Sequence, residues 1–314
     1  MIQAWTNTAP GRIERRTLPL PEPAAGQVRI RTLACGICAT DLEMVAGWSR
    51  TGHPTIPGHE WCGLVEAIGE GVDACLIGRR CVGDNVLADG GEVGFEHPGG
   101  YAEAFLTAAA NLRLLPEECD PATATLIEPL AVCLRGLRRL LPLPAGGVLI
   151  VGDGAIGLLA TGLLVGDGAN PVTVVGGVPE RLALARQLGA AACDHRQFPP
   201  MPLFPTVIEA SGSPAGLDTA LAHAANQGQI LILGDYAEAR AGFRWNDLLH
   251  RELCIVGSNA GTGAWDEAIA RFLAAPRRFA PLVTHRLPAC DCPRALELAR
   301  TRKDGVLRAV IIWE

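Results

Sequence analysis

The sequence contains no apolar stretch of ~18 residues that escapes interruption by Gly, Asp or Pro, so it predicts no membrane-spanning helix. Residues 1–16 contain no apolar run either, and they predict no signal peptide. The arginines are scattered as pairs and the net charge is −6, which argues against a nucleic-acid-binding protein. With 49% hydrophobic and 19% charged residues over 314 positions, the chain is neither disordered nor fibrous. Its length fits about two domains.

The cysteines lack the spacing of a small disulfide-stabilised secreted protein. Most of the 11 cysteines stand singly in apolar or mixed stretches, which indicates buried free thiols and a cytoplasmic protein. Cys35 and Cys38 form a C-x-x-C pair, whose spacing alone fits half a zinc knuckle or a redox pair. A knuckle requires a second C-x-x-C, and the sequence has only the C-x-C of Cys290 and Cys292.

The sequence pattern changes between the first and the second part of the chain. Up to about residue 120, short strands such as 27–33, 63–68 and 101–106 are separated by Gly and Pro, which is typical of an irregular β domain. From residue 131 onward, strand-like and helix-like segments alternate, which predicts a parallel sheet with helices on both faces. We expect strands at 148–151, 172–175, 206–209, 229–233 and 253–256, and helices at 155–165 and 179–188.

A glycine-rich loop follows the first of these parallel strands. It has the form G-x-G-x-x-G, with Gly152, Gly154, Ala155, Ile156 and Gly157 as candidate cofactor-binding residues. The glycines allow a tight turn, close approach of a pyrophosphate, and close packing of helix on strand. The following helix N-terminus supplies free N–H groups for the phosphates. An ordinary strand-to-helix turn is the alternative, but the strand before and the helix after fit a dinucleotide site.

The end of the second strand in such a unit usually selects the cofactor. A carboxylate there binds the ribose 2′-OH of NAD, whereas space and an arginine accept the 2′-phosphate of NADP. Here Gly176 stands at the strand end and Arg181 follows five residues later. Because no carboxylate occupies the strand end, we expect NAD or NADP, with a lean towards tolerance of NADP.

Three short segments carry potential zinc ligands. They are residues 35–41 (Cys-Gly-Ile-Cys-Ala-Thr-Asp), 57–61 (Pro-Gly-His-Glu-Trp) and 127–130 (Ile-Glu-Pro-Leu). They supply a thiolate, an imidazole and carboxylates, and a catalytic zinc takes three protein ligands with one position open. In that position zinc lowers the pKa of a bound hydroxyl. Alone, the His59-Glu60 pair would more often be a local polar pair than a metal site.

Together these segments resemble the medium-chain dehydrogenase/reductase family, in its zinc-dependent alcohol and polyol branch. The resemblance covers nearly the whole chain and includes residues 99–103 (Gly-Gly-Tyr-Ala-Glu), 209–213 (Glu-Ala-Ser-Gly-Ser) and 284–286 (Thr-His-Arg). It implies a GroES-like irregular β-barrel catalytic domain, at residues 1–125 and 259–314, and a Rossmann dinucleotide-binding domain at residues 126–258. It also implies a homodimer or homotetramer.

The resemblance assigns roles to individual residues. Its metal-binding cysteine corresponds to Cys38, and its imidazole ligand corresponds to His59. Glu60 matches a glutamate that ligates zinc or exchanges with water, and Glu128 matches the third ligand, a carboxylate in polyol-type relatives. Thr40 matches the hydroxyl that passes the substrate proton to a relay.

The sequence departs from the family pattern at two places. The stretch 85–98 is short and has no cysteine, where most zinc relatives carry a structural zinc, so one catalytic zinc per chain is expected. Glu43 stands where the outer histidine of the proton relay is often found. Ser211 and Asn259 follow strands of the Rossmann domain and would face the dinucleotide.

The expected reaction is hydride transfer between NAD or NADP and a polyol, sugar or other secondary alcohol. The alternatives are a zinc-free NADPH-dependent reductase with the same fold and a non-catalytic nucleotide-binding protein.

Overall fold

A computed structural model describes residues 1–140, 146–169, 171–200, 203–237, 239 and 242–313. The chain forms two compact units, one of Met1–Glu128 with Val283–Glu314 and the other of Pro129–Leu282. Among the described residues, no helix combines the length and apolar character that crossing a membrane would need.

The strands are, in chain order, β1 (Ile2–Ala9), β2 (Arg12–Leu18), β3 (Gln27–Gly36), β4 (Trp61–Ile68), β5 (Arg80–Gly83), β6 (Ala104–Ala108), β7 (Leu112–Leu114), β8 (Val148–Val151), β9 (Val172–Gly176), β10 (Ala191–Asp194), β11 (Phe204–Glu209), β12 (Ala224–Ile232), β13 (Cys254–Gly257), β14 (His285–Pro288) and β15 (Ala309–Ile312). The helices are α1 (Ala39–Ala46), α2 (Pro121–Ala124), α3 (Ile127–Arg138), α4 (Ala155–Gly166), α5 (Pro179–Gln187), α6 (Pro214–His223), α7 (Trp245–His250), α8 (Trp265–Ala274), α9 (Pro276–Phe279) and α10 (Cys292–Thr301). Short 3₁₀ turns lie at Ala74–Leu76, Ala109–Asn111, Ala280–Leu282 and Ala289–Asp291.

The first unit is built on a seven-stranded sheet. Its strands follow the order β14-β15-β3-β4-β5-β7, and β6 also pairs with β3. Along β3, buried Val28 and Ile30 alternate with partly exposed Arg29 and Arg31, which is the period of a strand with one face on a core. The final strand β15 pairs antiparallel with the end of β3. The C-terminal segment therefore belongs to the same sheet as the N-terminal strands, which gives this unit its discontinuous sequence.

The core of the first unit is apolar and partly aromatic. The rings of Trp61 and Phe105 meet edge to face, with centroids 5.1 Å apart. Indole N–H groups tie distant segments to this core: Trp5 donates to the Ala289 carbonyl at 2.6 Å, and Trp313 donates to the Gly100 carbonyl at 2.9 Å. Such buried indoles combine a large apolar surface with a satisfied polar group.

The second unit is a parallel sheet in the order β10-β9-β8-β11-β12-β13. This is the doubly wound order in which ligands bind outside the carboxyl ends of the strands. All four residues of β8 are buried, and eight residues of α4 are buried as well. The strands predicted at 148–151 and 172–175 correspond to β8 and β9, and the helices predicted at 155–165 and 179–188 correspond to α4 and α5, each within one residue.

The boundary between the units differs from the expected one at its C-terminal side. The expected position was 258/259, whereas the second unit extends to Leu282. Residues after 258 pack on this unit: the Phe279 ring lies where a side chain on Gly162 would be, and Arg138 pairs with Glu267 at 2.5 Å. At its N-terminal side the boundary follows Glu128, three residues after the expected 125/126.

Candidate metal and cofactor sites

Cys38 and His59 reach the site from two loops that leave the sheet of the first unit. Cys38 lies between the end of β3 and the start of α1, and His59 immediately precedes Glu60 and β4. Gly58 has φ +105°, and a Cβ there would lie 2.9 Å from the Cys35 sulfur and 2.8 Å from the Tyr101 backbone nitrogen. Only glycine fits this turn, which explains the Pro-Gly-His-Glu segment physically.

The structure brings three of the predicted ligands together. Ligand atoms of Cys38, His59 and Glu60 all lie within 4.8 Å of one another. His59 and Glu60 are buried, at 6% and 1% exposure, and Glu60 Oε2 has no hydrogen-bond partner among the described residues. A buried carboxylate oxygen without a partner is costly unless a cation satisfies it. A thiol, an imidazole and a carboxylate form a donor set that suits zinc, so these residues fit the metal.

A buried aspartate holds this donor set in place. Asp41 Oδ2 accepts hydrogen bonds from the Cys38 N–H at 2.8 Å and the Tyr101 hydroxyl at 3.3 Å. Asp41 Oδ1 lies 3.4 Å from His59 Nδ1. Burial lowers the pKa of His59, but the charges and hydrogen bonding of Asp41 and Cys38 together outweigh burial and hold that pKa well above its usual value. A carboxylate at Nδ1 favours the tautomer whose Nε2 lone pair can bind a metal.

Arg308 pairs with Glu60, and sequence reasoning missed it. Arg308 immediately precedes β15, is 6% exposed, and donates from Nη2 to Glu60 Oε1. It also donates to the Ile37 carbonyl at 3.3 Å. Burial raises the pKa of Glu60, whereas Arg308 and His59 lower it, and the net shift is upward. The one available signal was a lone arginine at the start of the last apolar strand.

Glu128 lies near this cluster but outside the set of three. It stands in the first turn of α3. Burial raises the pKa of Glu128 to about 7; Glu60 adds to that rise, while His59 and Arg308 oppose it. Glu128 is therefore an electrostatic neighbour of His59 and Glu60, and its role as the third ligand stays a prediction.

The predicted relay residues lie on α1. Thr40 Oγ1 is 3.5 Å from the Cys38 sulfur, so its hydroxyl lies beside a predicted ligand. Glu43 is partly buried on the same helix, and its backbone carbonyl accepts hydrogen bonds from Gly47 and Trp48 at the helix end. Their proton-transfer roles stay predictions.

The glycine-rich loop lies in the second unit, between β8 and α4. Gly152 has φ +118°, and Gly154 is the N-cap residue of α4. A Cβ on Gly157 would overlap the Gly152 carbonyl, so the helix packs against the loop as closely as the motif predicted. Ala155 and Ile156 form the partly exposed first turn of the helix.

The remaining predicted cofactor residues belong to the carboxyl edge of the same sheet. Gly176 ends β9, while Ser211 and Asn259 each follow a strand by two residues. Glu209 accepts hydrogen bonds from the Ser211 N–H and hydroxyl, and the Asn259 carbonyl accepts one from Arg135. Parallel strands end at one edge, so these residues share an edge with the glycine-rich loop.

Comparison with known proteins identifies the family. Residues 24–117 match the model "Alcohol dehydrogenase GroES-like domain", and residues 155–274 match "Zinc-binding dehydrogenase". Glucose 1-dehydrogenase 1 of Caldivirga maquilingensis is 31% identical over 306 residues, which cover 87% of each chain. The chain belongs to the zinc-binding alcohol dehydrogenases. It is thereby a member of the medium-chain dehydrogenase/reductase family, and the predicted GroES-like and Rossmann folds are confirmed.

Two further relatives extend over almost the whole chain. L-threonine 3-dehydrogenase of Saccharopolyspora erythraea is 27% identical and covers 98% of this chain and 97% of its own. A crystal structure of a zinc-binding dehydrogenase from Sinorhizobium meliloti, bound to NADP, is 26% identical, with a TM-score of 0.90 and 99% of each chain covered.

The short segment 85–98 of this dehydrogenase supports the histidine of the metal cluster. Asn85 donates from Nδ2 to the His59 carbonyl at 2.7 Å and accepts from the Trp61 indole at 2.9 Å. The Phe95 ring lies 4.7 Å from the His59 imidazole, measured between centroids. Sequence reasoning had used this segment only for its lack of cysteine, so it missed these contacts.

Proposed function

We propose that this chain is a zinc-dependent dehydrogenase that transfers a hydride between an alcohol and NAD or NADP. The observation that carries the proposal is the cluster of Cys38, His59 and Glu60, whose ligand atoms lie within 4.8 Å of one another and of which His59 and Glu60 are buried. Family membership and the Gly152–Gly157 loop support the cofactor, and the Sinorhizobium meliloti relative has NADP bound.

Cys38, His59 and one carboxylate, Glu60 or Glu128, would hold the metal. Zinc bound there supplies a Lewis acid that lowers the pKa of an alcohol hydroxyl. Asp41 orients the His59 imidazole and holds the Cys38 backbone through the contacts described above. Glu60 already pairs with Arg308 through Oε1, whereas burial raises the pKa of Glu128 to about 7. We propose one such zinc per chain.

The proton of the substrate hydroxyl leaves through α1. Thr40, whose hydroxyl lies 3.5 Å from the Cys38 sulfur, accepts this proton while it passes its own hydroxyl proton on to the Glu43 carboxylate. A carboxylate can take the place of the histidine found in relatives because both are proton acceptors at neutral pH.

The substrate class we propose is a polar alcohol that carries a second oxygen or nitrogen substituent beside its hydroxyl. Two relatives are named for threonine and glucose, which share this feature. The carboxylate-rich ligand set, matched to polyol-type relatives, points the same way.

The test combines metal analysis with an activity panel. Purified protein should contain about one zinc per chain and should reduce NAD or NADP with at least one of threonine, butanediol, sorbitol and glucose. The variant Cys38→Ser should lose both zinc and activity. The matched control Cys75→Ser removes an exposed thiol of the same unit and should keep both. Full zinc content and activity in Cys38→Ser would contradict the proposal, and zinc-free protein that reduces activated alkenes with NADPH would favour a reductase.

A further inference from the structure

The end of β9 carries a carboxylate that comes from another part of the chain. Asp153, the second residue of the glycine-rich loop, places Oδ2 within 2.8 Å of the backbone N–H of Gly177 and 2.8 Å of that of Val178. It is 9% exposed. The described residues give both hydrogen bonds to Oδ2 and give none to Oδ1.

Gly176 is shaped to receive this side chain. Its backbone does not have a positive φ, so glycine is not required there for conformation. A Cβ on Gly176 would instead overlap Asp153, and Asp153 atoms are the three nearest that it would meet. Asp153 can therefore occupy this position only because Gly176 has no side chain.

We infer that Asp153 determines specificity at the 2′ position of the cofactor and selects NAD over NADP. It does so by placing a carboxylate where other dinucleotide-binding units carry an acid on the strand itself. The inference rests on the proposed function, because it requires a nicotinamide dinucleotide in the second unit. It reverses the lean towards NADP that Gly176 alone had suggested.

Three physical effects act in the same direction. The 2′-phosphate of NADP is strongly negative at neutral pH, as phosphate monoesters are, and it would lie beside a charged carboxylate. The Gly177 and Val178 N–H groups, which could have bound that phosphate, already donate to Asp153. The 2′-OH of NAD, by contrast, can donate a hydrogen bond to Oδ1.

The cations near this position do not reverse the preference. Arg181, on α5, is 6% exposed, so a phosphate arriving from solvent would not meet its guanidinium. His195 lies over Gly177, with Nδ1 3.1 Å from the Gly176 carbonyl, and it also lies 3.7 Å from Asp194. The Asp194 carboxylate also pairs with Arg196, so the cationic side chains at this corner already have a carboxylate partner of their own.

The test measures nucleotide binding, independently of alcohol oxidation. Titration of the intact protein with NADH and with NADPH, followed by nucleotide fluorescence, should give at least a tenfold lower Kd for NADH. Asp153→Asn keeps an acceptor for the two N–H groups and removes the charge. The ratio of the Kd for NADPH to the Kd for NADH should therefore fall at least tenfold, while the melting temperature stays close to that of the wild type. The control Asp167→Asn, at the opposite end of α4, removes an equal charge and should leave the ratio unchanged.

A second pair of variants moves the carboxylate back to the strand. Asp153→Gly should lose the preference for NADH, and the double variant Asp153→Gly/Gly176→Asp should regain it, since the first change vacates the space that the second one fills. A wild-type protein without preference, or an Asp153→Asn variant with an unchanged Kd ratio, would overturn the inference and limit Asp153 to bracing the turn. Failure to bind either nucleotide would overturn the proposed function, and the inference with it.

Discussion

Replacing Asp41 by asparagine tests whether the charge of Asp41 helps the predicted ligands to bind zinc, because the replacement leaves those ligands themselves unchanged. Asp41 is fully buried and contacts the Cys38 N–H, the Tyr101 hydroxyl and the His59 imidazole. Asparagine has the same shape and can still accept the Cys38 N–H, so the fold should persist. What it removes is the negative charge 3.4 Å from His59 Nδ1.

Loss of such a carboxylate behind a metal-binding histidine typically costs about 10–100-fold in metal affinity, which corresponds to ~1.4–2.7 kcal/mol. We expect Asp41→Asn to weaken zinc binding by this factor in competition with a chromophoric chelator. Its activity should recover in part at saturating zinc, because all the ligands remain.

The matched control is Asp120→Asn. Asp120 is also an aspartate of the first unit that binds a helix N-terminus, since it accepts the Thr123 N–H at 3.1 Å, and it pairs with Arg286 at 2.6 Å. Asparagine caps a helix as well as aspartate does, so this replacement should cost at most about 1 kcal/mol of unfolding free energy, from loss of the exposed ion pair with Arg286, and should leave zinc affinity unchanged. Zinc affinity of Asp41→Asn within about threefold of wild type, below the range expected for such a change, would refute the orienting role.

Three other predictions address the metal, the loop and the core. Dialysis against a strong chelator should abolish alcohol-dependent reduction of the nucleotide, and about one equivalent of zinc per chain should restore it; a requirement for two would contradict a single site. Gly157→Ala should destabilise the protein by about 1–3 kcal/mol in calorimetry, because its Cβ would overlap the Gly152 carbonyl. Gly154→Ala meets no atom within 4 Å, so it should keep stability and weaken only nucleotide binding; equal melting temperatures of the two variants would sink this reasoning. Trp61→Phe leaves the buried Asn85 acceptor without its indole donor and should cost about 1–3 kcal/mol in denaturant unfolding, whereas a loss below 0.5 kcal/mol would count against that bond.

Features with a local physical cause could be predicted from the sequence. The short apolar segments of β8 and β9, each followed by a helix, reflect burial of parallel strands on both faces. The loop between β8 and α4 could be recognised because its glycines are required by contacts within the loop itself. They allow the tight turn and the close packing of helix on strand, and all of them lie within six residues. The same holds for Cys38, His59 and Glu60, which stand in short motifs whose turns position them.

What the sequence left open depends on contacts between distant segments. Gly176 suggested an empty strand end, yet Asp153 fills that space and binds the N–H of Gly177, which is 24 positions away in the sequence. Arg308 drew no prediction because its partner Glu60 is 248 residues distant, and only the pairing of β15 with β3 brings the two together. The extent of the second unit to Leu282 also depends on packing between distant segments, such as Phe279 against Gly162 and Glu267 with Arg138.

The sequence by itself therefore determined the two folds and the alternation of strands, loops and helices along the second unit. It also determined which cysteine, histidine and glutamate form the cluster. The tertiary structure decided which charges surround them: Asp41 behind His59, Arg308 against Glu60, and Asp153 at the end of β9. The physical reason is that backbone conformation follows mainly from neighbouring residues and hydrophobic period, whereas the environment of a buried charge is set by whichever segments the fold packs around it.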